Sequence, residues 1–315
     1  MHKASKVYVA GHTGLLGRAL LKVLSQRGYT EIITRAHGEL DLTDGNAVDE
    51  FFKNERPEYV FLAAGLTGGI IANLTYPAAF LHTNIAIQDS VFQAAQKYRA
   101  ERLIFYGSSC MYPKDCPQPM KEDCMFTGGI EKTSEAYAIS KIAGTIACRA
   151  YNAQYKTNRF TALVPNSMYG PYDNFELETS HVLAGLIRRF IEAMVEGRER
   201  ITLWGSGAPR REFVYSEDVA EASVFAMENS DRLQNTHYNI GSGADYSVKE
   251  LAEMVRKVTG YGGIIEWDAE KPDGVKRKLL DCSRFMALGW RPHTTLKEGL
   301  KITCEWFLEN KVKRL

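Results

Sequence analysis

A glycine turn set between a short apolar strand and a helical pattern constrains this chain more tightly than any other feature. Lys6-Val-Tyr-Val-Ala10 is rich in strand-forming residues, Gly11-His-Thr-Gly14-Leu-Leu-Gly17 follows at once, and an apolar-periodic segment then runs through Arg27. The order reads as strand, tight turn and helix. Glycines at this spacing let the turn close, bring a pyrophosphate up to backbone N–H groups, and allow the helix to pack closely on the strand, while the helix N-terminus attracts the phosphates. A plain strand-to-helix connection has the same outline. Placement directly after the first strand and at the head of a helix is what a dinucleotide site requires.

Glu58-Tyr-Val-Phe-Leu-Ala63, Arg102-Leu-Ile-Phe-Tyr106 and Phe160-Thr-Ala-Leu-Val164 are continuous apolar runs of the kind buried parallel strands show, with helical patterns at about 77–98 and 134–156 between them. Strands alternating with helices predict an α/β fold, a Rossmann-type doubly wound parallel sheet whose ligands sit beyond the carboxyl ends of the strands. After residue 165 the character changes to Pro165-Asn-Ser-Met-Tyr-Gly-Pro171, a helical run from His181 to Glu196, and Trp204-Gly-Ser-Gly-Ala-Pro-Arg-Arg-Glu-Phe213. This predicts a smaller, discontinuous C-terminal α/β substrate domain. The expected division gives residues 1–165 plus about 212–242 to the cofactor-binding domain and about 166–211 plus 243–315 to the substrate domain. Asp218 to Asn229 and the strand Tyr238-Asn-Ile-Gly241 are expected to return to the main sheet, and helices near 247–259 and 296–310 to rejoin the small domain.

The second strand, Glu31-Ile-Ile-Thr34, ends at Arg35 rather than at an acidic residue. An arginine there suits a ribose 2′-phosphate, so NADP is expected rather than NAD. Asp41 is a candidate for the adenine end, and a solvated loop carboxylate is the plainer alternative. Tyr137 and Lys141 lie four apart in a segment, Ser134 to Tyr155, that reads as a helix, so both should share one face about a turn apart. A tyrosine has a pKa of roughly 10. An ammonium beside it favours the phenolate, and a serine hydroxyl from Ser108 or Ser109 can hydrogen-bond a carbonyl being reduced. Alone, Tyr-x-x-x-Lys equally describes an exposed helix pair; the glycine turn changes its meaning.

The 315 residues are 45% hydrophobic and 24% charged with net charge +1, which fits a globular chain large enough for a main domain and a lesser one. Near-neutral charge gives no reason to invoke nucleic acid or an anionic membrane. No apolar run approaches the roughly 18–20 residues of a membrane span, and a cytoplasmic location is expected. Cys110, Cys116, Cys124, Cys148, Cys282 and Cys304 are scattered without C-x-x-C spacing or histidine companions, so free thiols and no metal are expected.

Gly11/Gly14/Gly17, Tyr137-x-x-x-Lys141 and Gly107-Ser-Ser-Cys-Met-Tyr-Pro113 together resemble the extended short-chain dehydrogenase/reductases. The resemblance runs almost end to end. Asp173-Asn-Phe, Ser180-His181-Val, Leu186-Ile-Arg-Arg-Phe190, Trp204-Gly-Ser-Gly, Arg211-Glu-Phe, Lys271-Pro-Asp-Gly274 and Arg277-Lys-Leu-Leu-Asp281 narrow it to the branch that acts on GDP-linked 4-keto-6-deoxy sugars.

What the resemblance implies is a bifunctional reaction on such a sugar. A 4-keto group acidifies the hydrogens on C3 and C5, so a base on one ring face and an acid on the other can invert both centres. Cys110 would be the base and His181 the acid. Each has a plainer reading when taken alone, a buried core thiol and a helix-start histidine. NADP(H) would serve C4, with Tyr137 donating the proton, Ser108 polarising the carbonyl and Lys141 holding the nicotinamide ribose. The family pattern further assigns the cofactor to Gly11, Thr13, Gly14, Leu15, Leu16 and Gly17 of the turn, to Arg35, Asp41 and Leu42, and to Pro165, Asn166, Met168 and His181. It carries Arg189, Trp204, Arg211 and Asp273 to the GDP-sugar: forked donors for pyrophosphate, an aromatic surface, and a carboxylate acceptor. A homodimer through the helices around 77–98 and 134–156 is implied as well. The chain departs from the family pattern at Leu66, where a lysine is common, at Asn166-Ser167 and at Ala136. Reduction of another GDP-4-keto sugar, such as a heptose or the colitose precursor, therefore stays open, as does a non-catalytic NADP-binding sensor or scaffold.

Overall fold

Successive residues of a strand point to opposite faces, so an unbroken apolar strand implies a sheet covered on both sides. The computed structural model, which describes residues 1–271 and 273–312, has this arrangement. Pro272 of the Lys271–Gly274 match lies outside the described residues. The first half of the chain runs β1 (Val7–Ala10), α1 (Leu15–Gln26), β2 (Ile32–Ile33), α2 (Gly45–Glu55), β3 (Tyr59–Leu62), α3 (Ile70–Thr75), α4 (Pro77–Lys97), β4 (Arg102–Tyr106), α5 (Glu135–Tyr155) and β5 (Phe160–Pro165). It continues through β6 (Ser167–Tyr169), α6 (Val182–Val195), β7 (Arg200–Trp204), β8 (Arg210–Tyr215), α7 (Ser216–Glu228) and β9 (His237–Ile240). Last come β10 (Asp245–Ser247), α8 (Val248–Thr259), β11 (Ile264–Asp268), β12 (Arg277–Lys278), α9 (Ser283–Met286) and α10 (Leu296–Asn310).

The main sheet has the order β2-β1-β3-β4-β5-β9, every pair parallel. Val7 and Val9 of β1 pack with α1 and α7 on one face, and Tyr8 and Ala10 with α2, α4 and α5 on the other. The expected doubly wound parallel sheet is therefore present, with β9 rejoining it beside β5 and α7 packed against α1. The strand expected at Glu31–Thr34 shrinks to Ile32–Ile33, because only Val7 and Tyr8 of β1 offer it partners.

A second core gathers Phe190 and Ile191 of α6, Leu251 and Val255 of α8, and Leu300 and Phe307 of α10 around Phe213 and Tyr215 of β8. Here β8 pairs antiparallel with β10 and parallel with β12 and β6, while β7 pairs with β11. Capping boxes at Ser247/Glu250 and Thr295/Glu298 start α8 and α10. Helix α2, unanticipated, is started by the Asp44 carboxylate, which accepts from Asn46 and Ala47 N–H groups at 2.9 and 3.2 Å.

Candidate active site

The chain leaves β1 to one side for β2 and returns to the other for β3, so the sheet opens a crevice between the carboxyl ends of β1 and β3. Gly11 has φ +80°, and a Cβ there would stand 2.6 Å from the Ala64 backbone nitrogen, so the turn after β1 touches the end of β3. A Cβ on Gly17 would run into the Gly11 carbonyl oxygen. Helix α1 starts from Gly14 with no side-chain cap, leaving its first N–H groups open. Thr13 and Gly14 are exposed, Leu15 is half-buried, and Leu16 and Gly17 are buried. This cradle fits a dinucleotide pyrophosphate: backbone donors, helix N-terminal charge and no side chain in the way.

Arg35 lies with its guanidinium 5.4 Å from the Phe51 ring centroid, donates to the Thr34 carbonyl at 2.8 Å and pairs with Glu55. A 2′-phosphate would meet it there, in competition with that carboxylate. The Asp41 carboxylate accepts from the Thr43 N–H and hydroxyl at 2.9 and 2.8 Å, which hold its pKa below the ordinary value and bind it to its own turn. Leu42 is buried. Pro165 ends β5; the Asn166 amide is taken up by Glu212, and Met168 is half-buried against the main core.

β4 delivers Ser108 to the crevice, where its hydroxyl accepts from the Cys110 N–H at 3.3 Å. The same hydroxyl also lowers the pKa of both the Tyr137 hydroxyl and the Cys110 thiol. Lys278 places its Nζ 3.7 Å from Cys110 Sγ. Burial alone would raise the thiol's pKa; the Lys278 ammonium and the Ser108 and Ser134 hydroxyls outweigh it and hold the pKa below the ordinary value. Tyr137, whose ring meets Phe80 edge-on at 6.0 Å, is raised by burial and then by the field of Cys110, and Ser108 opposes only in part.

Lys141 is buried, with Nζ 5.0 Å from the Phe105 ring centroid and 5.7 Å from that of Tyr137. Burial pulls its pKa down to about 8. The expected lowering of Tyr137 by Lys141 is thus not found: desolvation dominates both groups, and Tyr137 stands as a protonated donor. The loop after β3 covers Lys141 closely, since a Cβ on Gly65 would lie 3.6 Å from its Nζ and 2.7 Å from Asn84 Oδ1. The same loop is tied to the start of α6 by the Gly69 N–H, which donates to the Thr179 carbonyl at 2.8 Å. His181 follows there, immediately before Val182 opens α6. Open to solvent yet hemmed in by protein, its imidazole is held below the ordinary pKa by desolvation and then by Lys278.

On the other side of Lys278, Arg211 sits opposite it in the β8–β12 register. Burial lowers the Arg211 pKa, opposed by Asp273 and Cys110. Asp273 accepts from the Ser206 N–H at 3.0 Å and hydroxyl at 2.6 Å, so its carboxylate first of all holds the turn beside Trp204. Trp204 is 57% exposed, with Lys271 Nζ 5.7 Å from its ring. Arg189, half-buried on α6, has no ion pair among the described residues, whereas Arg188 is committed to Glu192 and Glu176. The structure therefore gathers Ser108, Cys110, Tyr137, Arg211 and His181 around Lys278, with Lys141 behind Tyr137 and Trp204 and Asp273 at the rim. Sequence reasoning missed Lys278, Ser134 and Asn84. Lys278 lies 168 residues from Cys110, and the Arg277–Asp281 match was the only signal that could have pointed to it.

Fold and site define a nucleotide-cofactor enzyme of the NAD dependent epimerase/dehydratase family, whose sequence model matches residues 7–241, and the chain belongs to that family. Within it, the chain is 46% identical over 312 residues to GDP-L-fucose synthase 1 of Arabidopsis thaliana, covering 99% of this chain and 96% of that one. It is 45% identical over 312 residues to the GDP-L-fucose synthase of Escherichia coli K12, covering 97% of each. Among solved structures it matches a GDP-mannoheptose C4 reductase from Campylobacter jejuni with NADP bound, at TM-score 0.89 and 38% identity over 98% of this chain and 99% of that one.

Proposed function

We propose that this chain is an NADPH-dependent epimerase/reductase that converts GDP-4-keto-6-deoxy-D-mannose to GDP-L-fucose, inverting C3 and C5 and then reducing C4. The observation that carries this is the Cys110 thiol, 3.7 Å from the Lys278 ammonium and on the turn of Ser108, whose hydroxyl accepts from the Cys110 N–H and also acts on Tyr137. A carbon base and a carbonyl acid thereby share one polar group, and enolisation and reduction can act on one bound ring. The identity to GDP-L-fucose synthases over nearly the whole chain supports the same substrate.

Cys110 takes the proton from C3 or C5 as the electrons pass into the 4-ketone, and His181 supplies a proton from the opposite face. Bound NADPH supplies the hydride for C4. Tyr137 gives its proton to the C4 oxygen, Ser108 hydrogen-bonds that oxygen, and Lys141, under the β3 loop, would hold the cofactor ribose. Gly11, Gly14 and Gly17 with Thr13, Leu15 and Leu16 would hold the cofactor pyrophosphate, Arg35 the 2′-phosphate, and Asp41, Leu42, Pro165, Asn166 and Met168 would complete the cofactor site. Arg189 and Arg211 take the GDP pyrophosphate, with Trp204 and Asp273 at the base and sugar. The division into a cofactor part and a substrate part is proposed with two changes to the expected bounds: Phe213 and Tyr215 of β8 pack in the second core, and Phe285 of α9 and Trp290 pack in the main one. Free cysteines fit a reducing compartment, and a cytoplasmic location belongs to the reading; among the described residues no helix is long and apolar enough to cross a membrane.

NADPH oxidation with GDP-4-keto-6-deoxy-D-mannose, accompanied by an equal amount of GDP-L-fucose, is the expected result. Oxidation giving an unepimerised sugar, or turnover on a GDP-4-keto-heptose alone, would favour the reductase reading that the Campylobacter jejuni likeness supports.

A further inference from the structure

Lys278 sits on a two-residue strand that is stitched from both sides. On one side β12 pairs with β8 in the register Arg277↔Arg210 and Lys278↔Arg211, and the Arg210 N–H donates to the Lys276 carbonyl at 2.8 Å. Two residues on, the Leu280 N–H donates to the buried Glu212 carboxylate at 2.9 Å. On the other side the strand is fastened to the segment that carries Cys110 itself. The Leu279 N–H donates to Gln118 Oε1 at 2.9 Å, the Met120 N–H to the Leu279 carbonyl at 2.8 Å, and the Asp281 N–H to the Met120 carbonyl at 2.8 Å. Five backbone ties thus hold a side chain that is free to swing only at its tip. That tip is 3.7 Å from Cys110 Sγ, and among the described residues no carboxylate pairs with it. Its neighbour Arg277, by contrast, is paired with Asp245 at 2.5 Å.

We infer that Lys278 is a positioning residue for epimerisation, the cation whose contact with Cys110 favours the thiolate and fixes its sulfur for attack on the C–H bond. The inference rests on the epimerase reading above. In the step it serves, the C–H bond breaks, an S–H bond forms on Cys110, and the electron pair enters the enolate of the 4-ketone. The step requires the thiolate, so the thiol's own proton must first leave to solvent. A half-buried ammonium within about 4–6 Å shifts a thiol by roughly 1–3 pH units. The other groups facing the sulfur are Arg211 from β8, Tyr137 from α5, Ser134 ahead of α5 and Ser108 from its own turn, and Lys114, Glu131 and Arg277 share the crevice that Cys110 and Lys278 line. Of the cations among these and Lys278, only Lys278 is in contact with the sulfur, at 3.7 Å.

The test is the rate of Cys110 alkylation by iodoacetamide from about pH 5 to about pH 10, read by peptide mass spectrometry in the intact protein and its Lys278→Met, Lys278→Gln and Lys278→Arg variants. The same preparations are assayed for solvent-deuterium exchange into GDP-4-keto-6-deoxy-D-mannose across that range. The expected result is a midpoint raised by about one unit or more in Lys278→Met and Lys278→Gln, the same displacement of the acid limb of exchange, and recovery of both in Lys278→Arg. An unmoved midpoint in well-folded variants, with wild-type exchange intact, overturns the role. So does a rise in KM for the GDP-sugar with no change in midpoint, which would make Lys278 a phosphate ligand only. A displaced midpoint in a wild-type background that exchanges no deuterium overturns the epimerase reading, and the catalytic role with it, while leaving the ion pair.

Discussion

Lys141 is buried with an aromatic ring on two sides, and its ammonium pKa is pulled to about 8 by desolvation. The unfolded chain therefore binds a proton more readily than the folded one between about pH 8 and 10.5. Stability from this group is lost as pH falls through that window, so the charge opposes folding at neutral pH by about 3 kcal/mol at most. Lys141→Met should accordingly stabilise the fold by on the order of 1–3 kcal/mol in urea titration while removing C4 reduction. A destabilised Lys141→Met would show that its ring contacts outweigh the burial of charge. Cys110 and Tyr137 should separate the two half-reactions. Cys110→Ser should slow exchange at C3 and C5 by on the order of 100-fold or more and spare reduction of a pre-epimerised ketone; Tyr137→Phe should do the reverse. Unchanged exchange in Cys110→Ser would remove the thiol from the mechanism.

The glycine turn and α1 act together because the helix starts against the turn's own carbonyl. Gly17→Ala would force its Cβ onto the Gly11 carbonyl oxygen, so α1 must move off β1. NADPH affinity should fall at least about tenfold by fluorescence titration, about 1.4 kcal/mol; full affinity in that variant would mean the cradle is not where the cofactor binds. This element was legible in the sequence because strand, turn and helix are consecutive. The same holds for β3, β4, β5, α4 and α5, whose long apolar runs or periodicity are local properties. Lys278 was not legible, since its strand is two residues long and has meaning only through pairing with β8 and with Met120. Nor was the raised Tyr137: its spacing to Lys141 was right, but burial, which spacing does not report, decides the sign.

Across the whole molecule the two cores meet at the site, β8 and β12 bringing cations from the second to the thiol of the first. A pH limit on the fold comes from elsewhere, from His237 of β9. It is 3% exposed, neither ring nitrogen has a hydrogen-bond partner among the described residues, and burial followed by Arg149 and Arg284 pulls its pKa to about 4. Unfolded, it takes a proton near pH 6.5 that the folded chain refuses. Its contribution is present above about pH 6.5 and lost as pH falls towards 4, about 3 kcal/mol in all. Urea titrations should show that fall, flattened in His237→Gln; equal slopes in both would contradict it. The paired α4 and α5 leave Ile85 and Ile139 38% and 44% exposed, consistent with a proposed homodimer through these helices. Light scattering at micromolar concentration should give a dimer and Ile139→Glu a monomer; a monomeric wild type would end that proposal.

The central claim is that one site both inverts and reduces. It is tested most directly by incubating the chain with GDP-4-keto-6-deoxy-D-mannose and NADPH in deuterated water and identifying the product by NMR. The expected product is GDP-L-fucose carrying deuterium at C3 and C5; NADPH oxidation to a product without label at either carbon would rule out epimerisation at this site.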